Sequence, residues 1–493
     1  GLDGPYTQIL IDSRPVFSAL SGVYGLEQIP ASMIERVEVM RGGGSALFGS
    51  SAIAGTINII TKEPLRNSGQ LSHTITSLGG SSSFDNNTSL NASLVTDDHR
   101  AGLYIFGQNR YRSGYDYDGD GFTELPKLKN QTVGFRSYLK TSTYSKLTFE
   151  YHHMQEFRRG GDMLNRPPHE AHIAEQLQHS IDGGSLKFDY FSPDEKNRLS
   201  VFASAANTDR DSYYGPGNDP LKAYGKTTDL TAMGGAQYVH TFDKCFFMPS
   251  DLTAGLEYNR DRLKDNMWGY NRHTDQTVNI YSAFLQNEWK NDRWGILIGG
   301  RLDKHNMVDN VIFSPRANLR FNPTQNINLR LSYSSGFRAP QAFDEDMHIE
   351  NVGGTVAMIE RAKDLKEEKS QSFSVSADMY HRFGAFQTNL LIEGFYTRLT
   401  DVFVLGKPYD RGDGILVKTR SNGPGAKVMG LTLEGKVAYL SILQIQAGLT
   451  LQRSRYDEPH KWHDDAPAEK KIFRTPDTYG YFTATCTPIK PLS

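Results

Sequence analysis

The chain has 493 residues, 54 Lys and Arg against 56 Asp and Glu, a formal net charge of −2, and 38% hydrophobic and 11% aromatic residues. So balanced a charge argues against a nucleic-acid partner held by bulk electrostatics, and no apolar run reaches the roughly eighteen residues of a membrane helix. A mean hydropathy of −0.52 remains compatible with a transmembrane β-barrel, in which only one face of each strand is apolar.

Residues 1 to 66 contain short predicted strands and one helical turn. Thr7 to Asp12 is a predicted strand running into Ser13-Arg14-Pro15, and Gly25 to Pro30 leads through a short helical turn at Ala31 to Ile34. Arg36 to Met40 and Thr56 to Thr61 are predicted strands, because Val37, Val39, Ile57, Ile59 and Ile60 are β-branched at near-alternate positions. Between them, Gly42, Gly43 and Gly44 permit positive φ, and Gly49 and Gly55 permit close backbone approach. Gly44 to Ser51 is not a phosphate loop: serine stands where the lysine should be, and no long helix follows. No signal peptide is visible, and the natural N-terminus is expected to lie upstream of Gly1.

From about residue 68 the pattern becomes strict alternation. Leu147, Phe149 and Tyr151 alternate with Lys146, Thr148, Glu150 and His152. Ile327, Leu329, Leu331 and Tyr333 alternate with Asn328, Arg330, Ser332 and Ser334, and Leu431, Leu433, Val437 and Tyr439 with Thr432, Glu434 and Lys436. This is the apolar-out, polar-in signature of a membrane barrel, and residues 67 to 493 contain about nineteen such segments of roughly ten to fourteen residues. Plugged outer-membrane transporters have about 22 strands. With no closing aromatic strand before Ser493, the sequence is expected to be truncated at both ends. Short turns at 192–197, 291–292 and 322–326 are expected at one rim, and long polar loops at 156–183, 208–226, 264–277, 337–368, 403–413 and 454–475 at the other. Cys245 and Cys486, the only cysteines, are far apart and carry no metal or redox motif.

Two stretches resemble a known family. Ile34-Glu-Arg-Val-Glu-Val-x-Arg41-Gly42, followed by Ser45-Ala-Leu-Phe-Gly49 and Ile57-Asn58-Ile-Ile-Thr-Lys62, is similar over roughly thirty positions to the plug signature of TonB-dependent outer-membrane receptors. The resemblance implies an all-β protein: a transmembrane antiparallel barrel whose lumen holds an N-terminal α/β plug. It also implies that Glu35, Arg36, Glu38 and Arg41 face charges on the barrel wall; from the residues alone, an exposed strand face serves equally well. Ser335-Gly-Phe-Arg-Ala-Pro-Gln341 and Lys363-Asp-Leu-Lys-Glu367 resemble paired boxes of haem receptors, in which an intervening histidine ligates haem iron. His348 lies in that interval, although Ala362-Lys363 replaces the family's Asn-Pro, and a lone loop histidine is more often a surface residue.

Other side chains offer chemistry of their own. Asp116, Asp118, Asp120 and Glu124 occupy positions 1, 3, 5 and 9 of a calcium-type loop with Gly121 at position 6, but Lys127 stands where the bidentate Glu should be. Calcium binding and a solvated acidic turn are about equally expected. The 156–183 segment supplies Arg158, Arg159, His169, His172 and His179; with Arg338 these are candidate ligand-binding groups. His169-Glu-Ala-His172 has the wrong spacing for a zinc protease, and no nucleophile elbow or dinucleotide fingerprint is found in a supporting context. An enzyme is therefore not expected. The resemblance implies active import of a metal chelate (cobalamin, haem or a ferric siderophore), with TonB, outer-membrane lipid and a surface lipoprotein as partners and no required cofactor. The rival is an energy-independent porin or a protein-docking receptor.

Overall fold

A computed structural model describes residues 6–15, 29–41, 48–50, 52–216, 223–352, 355–461, 467–473 and 475–487. Four strands form the plug sheet: β1 (Thr7–Ile11), β2 (Arg14–Pro15), β3 (Ile34–Arg41) and β4 (Gly55–Thr61). Their order is β2-β1-β4-β3, with β1 and β4 parallel and the other pairs antiparallel. Asp12 and Ser13 both take positive φ (50° and 63°), the geometry of a two-residue hairpin turn. Asn58 fixes that turn, accepting from the Ser13 amide at 2.8 Å and donating to Ser13 Oγ at 3.1 Å. The expected helical turn is a single 3-10 turn, Ala31–Met33. Gly42, Gly43 and Gly44 lie outside the described residues.

The remaining chain winds into one antiparallel sheet. Its first strands are β5 (Ser68–Ser77), β6 (Phe84–Val95), β7 (Ala101–Arg112), β8 (Lys127–Ser142) and β9 (Ser145–Gly161). Next come β10 (Ile173–Phe191), β11 (Asn197–Pro216), β12 (Tyr224–Cys245), β13 (Met248–Met267) and β14 (Arg272–Lys290). Then follow β15 (Trp294–His305), β16 (Ile312–Thr324) and β17 (Ile327–Arg338). The connection after β17 carries a one-turn helix (Asp344–Met347), β18 (Glu350–Val352) and β19 (Thr355–Arg361). After β20 (Glu368–Phe383) and β21 (Phe386–Thr400), a second connection carries β22 (Phe403–Leu405), β23 (Tyr409–Asp410) and β24 (Leu416–Asn422). The sheet ends with β25 (Ala426–Tyr439), β26 (Leu443–His460), β27 (Glu469–Lys471) and β28 (Thr478–Cys486).

Strands β5–β17, β20, β21 and β25–β28 make the barrel order, nineteen in all, with β27 only three residues long. The order returns on itself with β28 beside β5. No residue-by-residue register joins those two among the described residues, and both are exposed along their whole length. Alternation sorts the faces as expected: Phe149, Leu331 and Leu431 point outward and are exposed, whereas Thr148, Ser334 and Thr432 are buried in the lumen. Among the described residues no helix is long and apolar enough to cross a membrane.

Three expected loops are mostly strand. The 156–183 segment is a loop only at 162–172 and 264–277 only at 268–271, while 208–226 is strand at 208–216 and 224–226. Above the apolar belt the outer face of a strand meets water as well, so the ladder continues while the hydrophobic alternation that marks it disappears.

Candidate functional site

The long connections gather at one rim, opposite two-residue turns such as 143–144 and 325–326. There β18, β19, β24 and β22 form a separate sheet in that order, with β23 also on β24; β19 and β24, from two different connections, run parallel. This sheet is a lid. Its Ile349, Met358 and Ile415 pack against Leu177 of β10, Tyr213 and Tyr214 of β11, Met267 of β13 and Tyr270. Arg420 of β24 pairs with Asp346 at 2.8 Å, and Arg361 of β19 donates to the Pro340 carbonyl at 3.0 Å and to Gln276 Oε1 at 2.9 Å. His348 meets the Tyr214 ring edge-on, with centroids 5.1 Å apart.

Beneath the lid the wall is polar and buried. Arg158 donates to Glu156 Oε1 at 2.7 Å, and Asn130 donates to the other oxygen at 3.0 Å. His179 lies 3.9 Å from the same carboxylate. Arg272 bridges Asp265 and the Met347 carbonyl, each at 2.9 Å. Arg158, Arg159 and His179, expected on a loop, are thus wall residues of β9 and β10; strand pairing continues past the membrane zone and turns Arg158 and His179 inward, while Arg159, the next residue on the strand, lies on the opposite face with Gln176 and Tyr213. Arg159, 1% exposed, donates to the Gly160 and Asp162 carbonyls. Several buried donors on this wall have no acceptor among the described residues: Nε and Nη1 of Arg272 and Nε2 of Gln276.

The two loop histidines have separate partners. His169 shares a 2.8 Å hydrogen bond with the Tyr224 hydroxyl, and His172 lies 2.5 Å from Asp162 Oδ2. Burial pushes the Asp162 carboxyl up, but hydrogen bonds from the His172 ring and the Ile173 and His172 amides outweigh it and hold the group below its ordinary range.

Arg338, expected among the ligand contacts, is buried at the root of the lid. It lies 3.7 Å from Glu368, with the Phe343, Phe403 and Tyr6 rings 4.2, 5.5 and 5.7 Å from its guanidinium carbon. Glu368 accepts from the Phe403 amide at 2.6 Å and from the Tyr6 hydroxyl of the plug at 2.9 Å. Burial, then the Glu368 carboxylate, raises the Tyr6 phenol well above its ordinary value. Plug and lid therefore share one buried ion pair. Nearby, Gly49 takes φ +76°, and a Cβ there would come within 3.3 Å of Arg301 Nη2, so the plug backbone passes this wall arginine at a distance that suits glycine.

Of the four signature charges, three are described. Glu35, Arg36 and Glu38 lie on an exposed strand face, with Arg36 paired to Glu38 at 2.8 Å; Arg41's side chain is outside the described residues. Ties to the wall among the described residues include some the sequence did not single out. Arg136 of β8 pairs with Asp12 at 2.7 Å and with Glu63 at 3.1 Å. A turn-forming Asp followed by buried Asn58 was the only local signal for them.

Asp116, Asp118, Asp120 and Glu124 converge, with one oxygen from each lying within 4.8 Å of the others. Asp116 also accepts from the Gly119 and Gly121 amides at 2.7 and 2.8 Å, and Glu124 from the Tyr117 amide at 2.5 Å, so the carboxylates organise their own exposed turn.

Comparison with known proteins agrees with this geometry. The family model described as "TonB dependent receptor-like, beta-barrel" matches residues 55–485, and that for the "TonB-dependent Receptor Plug Domain" matches residues 1–56. The chain belongs to the TonB-dependent receptor family, whose members are receptors and transporters rather than enzymes. It is 23% identical over 361 residues to the vitamin B12 transporter BtuB of Vibrio vulnificus, covering 70% of this chain and 54% of that protein. It is 27% identical over 362 residues to an iron-regulated outer membrane virulence protein of Vibrio cholerae, covering 69% and 51%. The chain thus spans about half the length of these curated relatives. Among solved structures, the siderophore receptor PirA of Pseudomonas aeruginosa superposes with a TM-score of 0.75 at 16% identity, over 93% of this chain and 79% of that one. The ferric enterobactin receptor PfeA superposes with a TM-score of 0.76 at 17% identity, over 100% and 85%.

Proposed function

We propose that the protein imports an oxygen-rich, anionic metal chelate of the ferric siderophore type across the outer membrane, with TonB supplying the work that displaces the plug. The observation that carries this reading is the set of buried donors under the lid. An N–H group buried without an acceptor costs about 1–3 kcal/mol, and Arg272 and Gln276 hold such donors beneath the lid, on a wall that also carries Tyr214 and Tyr270. Carboxylate, catecholate or hydroxamate oxygens would supply the missing acceptors, and the flat rings of Tyr214 and Tyr270 would cover an aromatic or conjugated chelate. The names of the relatives, a vitamin B12 transporter and siderophore receptors, fall in the same class of cargo. A plug ion-paired to the wall favours energised import over an open porin. No covalent chemistry is required of any residue.

The test is titration of the full-length, detergent-purified protein with a ferric catecholate, cyanocobalamin and haem, beside Arg272→Ala and His348→Ala. Tight siderophore binding that weakens at least tenfold in Arg272→Ala is the expected outcome. A haem Soret shift lost in His348→Ala would instead make this a haem receptor. Uptake that persists in cells lacking TonB would end the energised reading.

A further inference from the structure

Strands β10 to β14 carry a charge pattern on their outer face. Two stacked aromatic pairs mark the membrane edges there: Phe247 with Trp289, ring centroids 5.6 Å apart, near the rim of two-residue turns, and Tyr258 with Tyr281, 4.9 Å apart, toward the lid. In the ladder Trp289 faces Ser250 and Tyr281 faces Tyr258, so the two levels are nine residues of β13 apart, Ser250 to Tyr258 inclusive. A tilted strand crosses the hydrocarbon in about 9–11. The two pairs are the aromatic girdles of a membrane barrel.

Immediately above Tyr258, the same outward face of β13 continues with Arg260, Arg262 and Lys264, all exposed, while Leu263 and Asp265 are buried. Alternate residues of a strand share a face about 6.8 Å apart, so the three cations form a row roughly 14 Å long that rises from the girdle into the headgroup zone. Their ladder neighbours are mostly uncharged: Ala232 and Asn279 beside Arg260, Leu230 and Thr277 beside Arg262. Asp275 lies 3.8 Å from Lys264, with the two side chains 63% and 45% exposed, so water weakens the pair and a second anion can share the ammonium.

The charge is local. Two strands away, the outward positions of β11 carry Asp209 and Asp211, both exposed, which repel an anion. A second outward group, Arg398, Lys427 and Arg455, is aligned by the register of β21, β25 and β26, but Arg398 pairs with Asp457 at 2.6 Å and Arg455 with Asp477 at 3.4 Å. Beside the β13 row the wall is also smooth. Successive rungs read Leu186, Ala203, Gly234, Tyr258 and Gly184, Ala205, Ala232, Arg260, so between β10 and β13 no outward side chain on these rungs exceeds a methyl group. With strands about 4.8 Å apart, that leaves a shallow bay roughly 14 Å from β10 to β13 on which several acyl chains can lie.

We infer that the β13 row binds the phosphate groups of a multi-chain phosphorylated lipid of the outer leaflet. Arg260 and Arg262 fork phosphate oxygens, Lys264 adds a point charge, and the chains rest in the bay. The site lies outside the barrel and is independent of the cargo.

The experiment uses the full-length protein, delipidated in detergent and titrated with diphosphoryl lipid A and, in parallel, with phosphatidylethanolamine, with bound lipid read by native mass spectrometry. The wild type is expected to bind diphosphoryl lipid A at least tenfold more tightly than phosphatidylethanolamine. Arg260→Ser, Arg262→Ser and Lys264→Ser together should weaken that binding at least tenfold, and Arg260→Lys with Arg262→Lys no more than threefold. The matched triple variant Arg398→Ser, Lys427→Ser and Arg455→Ser should stay within twofold of wild type. Wild-type affinity in the β13 triple variant, or equal losses in the two triple variants, overturns the inference. So does a dimer mass that disappears in the β13 variant with lipid affinity unchanged, which would give the row to a second copy of the chain. Should the β13 triple variant not fold, Arg262→Ser alone decides: a threefold loss is expected, and wild-type affinity overturns the inference.

Discussion

Strands β10 to β14 run 19 to 22 residues, whereas β5 to β7 and β15 to β17 run 10 to 13. A tilted strand crosses the hydrocarbon in about 9–11 residues. The short wall therefore spans little more than the membrane, while roughly half of the tall wall stands above it. The short side supplies the lid, through the connections after β17 and β21, and the tall side supplies the seat, through Leu177, Tyr213, Tyr214 and Met267. The vestibule thus arises from unequal strand lengths, with the lid rooted at Arg338 and Glu368 and resting on the opposite rim.

Breaking the root should cost most. Glu368→Ala removes the carboxylate beside Arg338 and the acceptor of both the Tyr6 hydroxyl and the Phe403 amide, and is expected to destabilise by about 3–5 kcal/mol. The thermal midpoint of the detergent-purified protein should fall accordingly, and less in Glu368→Gln; equal midpoints would place the root elsewhere. Loosening the seat comes next. Met358→Ala, a buried lid residue, should weaken lid docking by about 2–5 kcal/mol and expose the 401–425 connection to protease while the barrel stays folded; unchanged cleavage would show that the tall wall does not hold the lid. His348→Ala forfeits one edge-on ring contact, roughly 0.5–1.5 kcal/mol, visible as faster amide exchange near Tyr214 and absent if the histidine merely rests there.

The smallest effect sharpens the comparison at the tall rim. Because the folded Asp162 carboxyl titrates below its ordinary value of 3.8, its stabilising contribution is present above that value and is lost as pH falls through the lower folded one. The 162–172 loop should therefore hold at neutral pH and loosen under acid. His172 is 72% exposed, so His172→Ala should remove under about 1 kcal/mol and flatten that acid response; an unaltered exchange profile across pH would discount the pair.

Much of this fold was legible from one-dimensional periodicity. Leu147 to Tyr151, Ile327 to Tyr333 and Leu431 to Tyr439 alternate because one face meets lipid, and the plug strands declared themselves through β-branched residues. The tall rim did not, because above the membrane both faces of a strand meet polar surroundings, and Arg158, Arg159 and His179 read as loop residues. The plug–lid junction was invisible for a different reason: Tyr6 and Glu368 are 362 positions apart, and nothing local in either neighbourhood demands the other. The lid sheet joins Ala357–Arg361 to Leu416–Arg420, a pairing set by how two connections meet in space rather than by either alone.

That parallel pairing constrains how the surface of such a receptor can diversify. A residue gained or lost within β19 would slip its register against β24 and turn every side chain of one strand to the opposite face. The two connections can drift in their tips, but within the paired segments they must change together, so grafting one of them alone from a relative should disrupt the lid where grafting both preserves it.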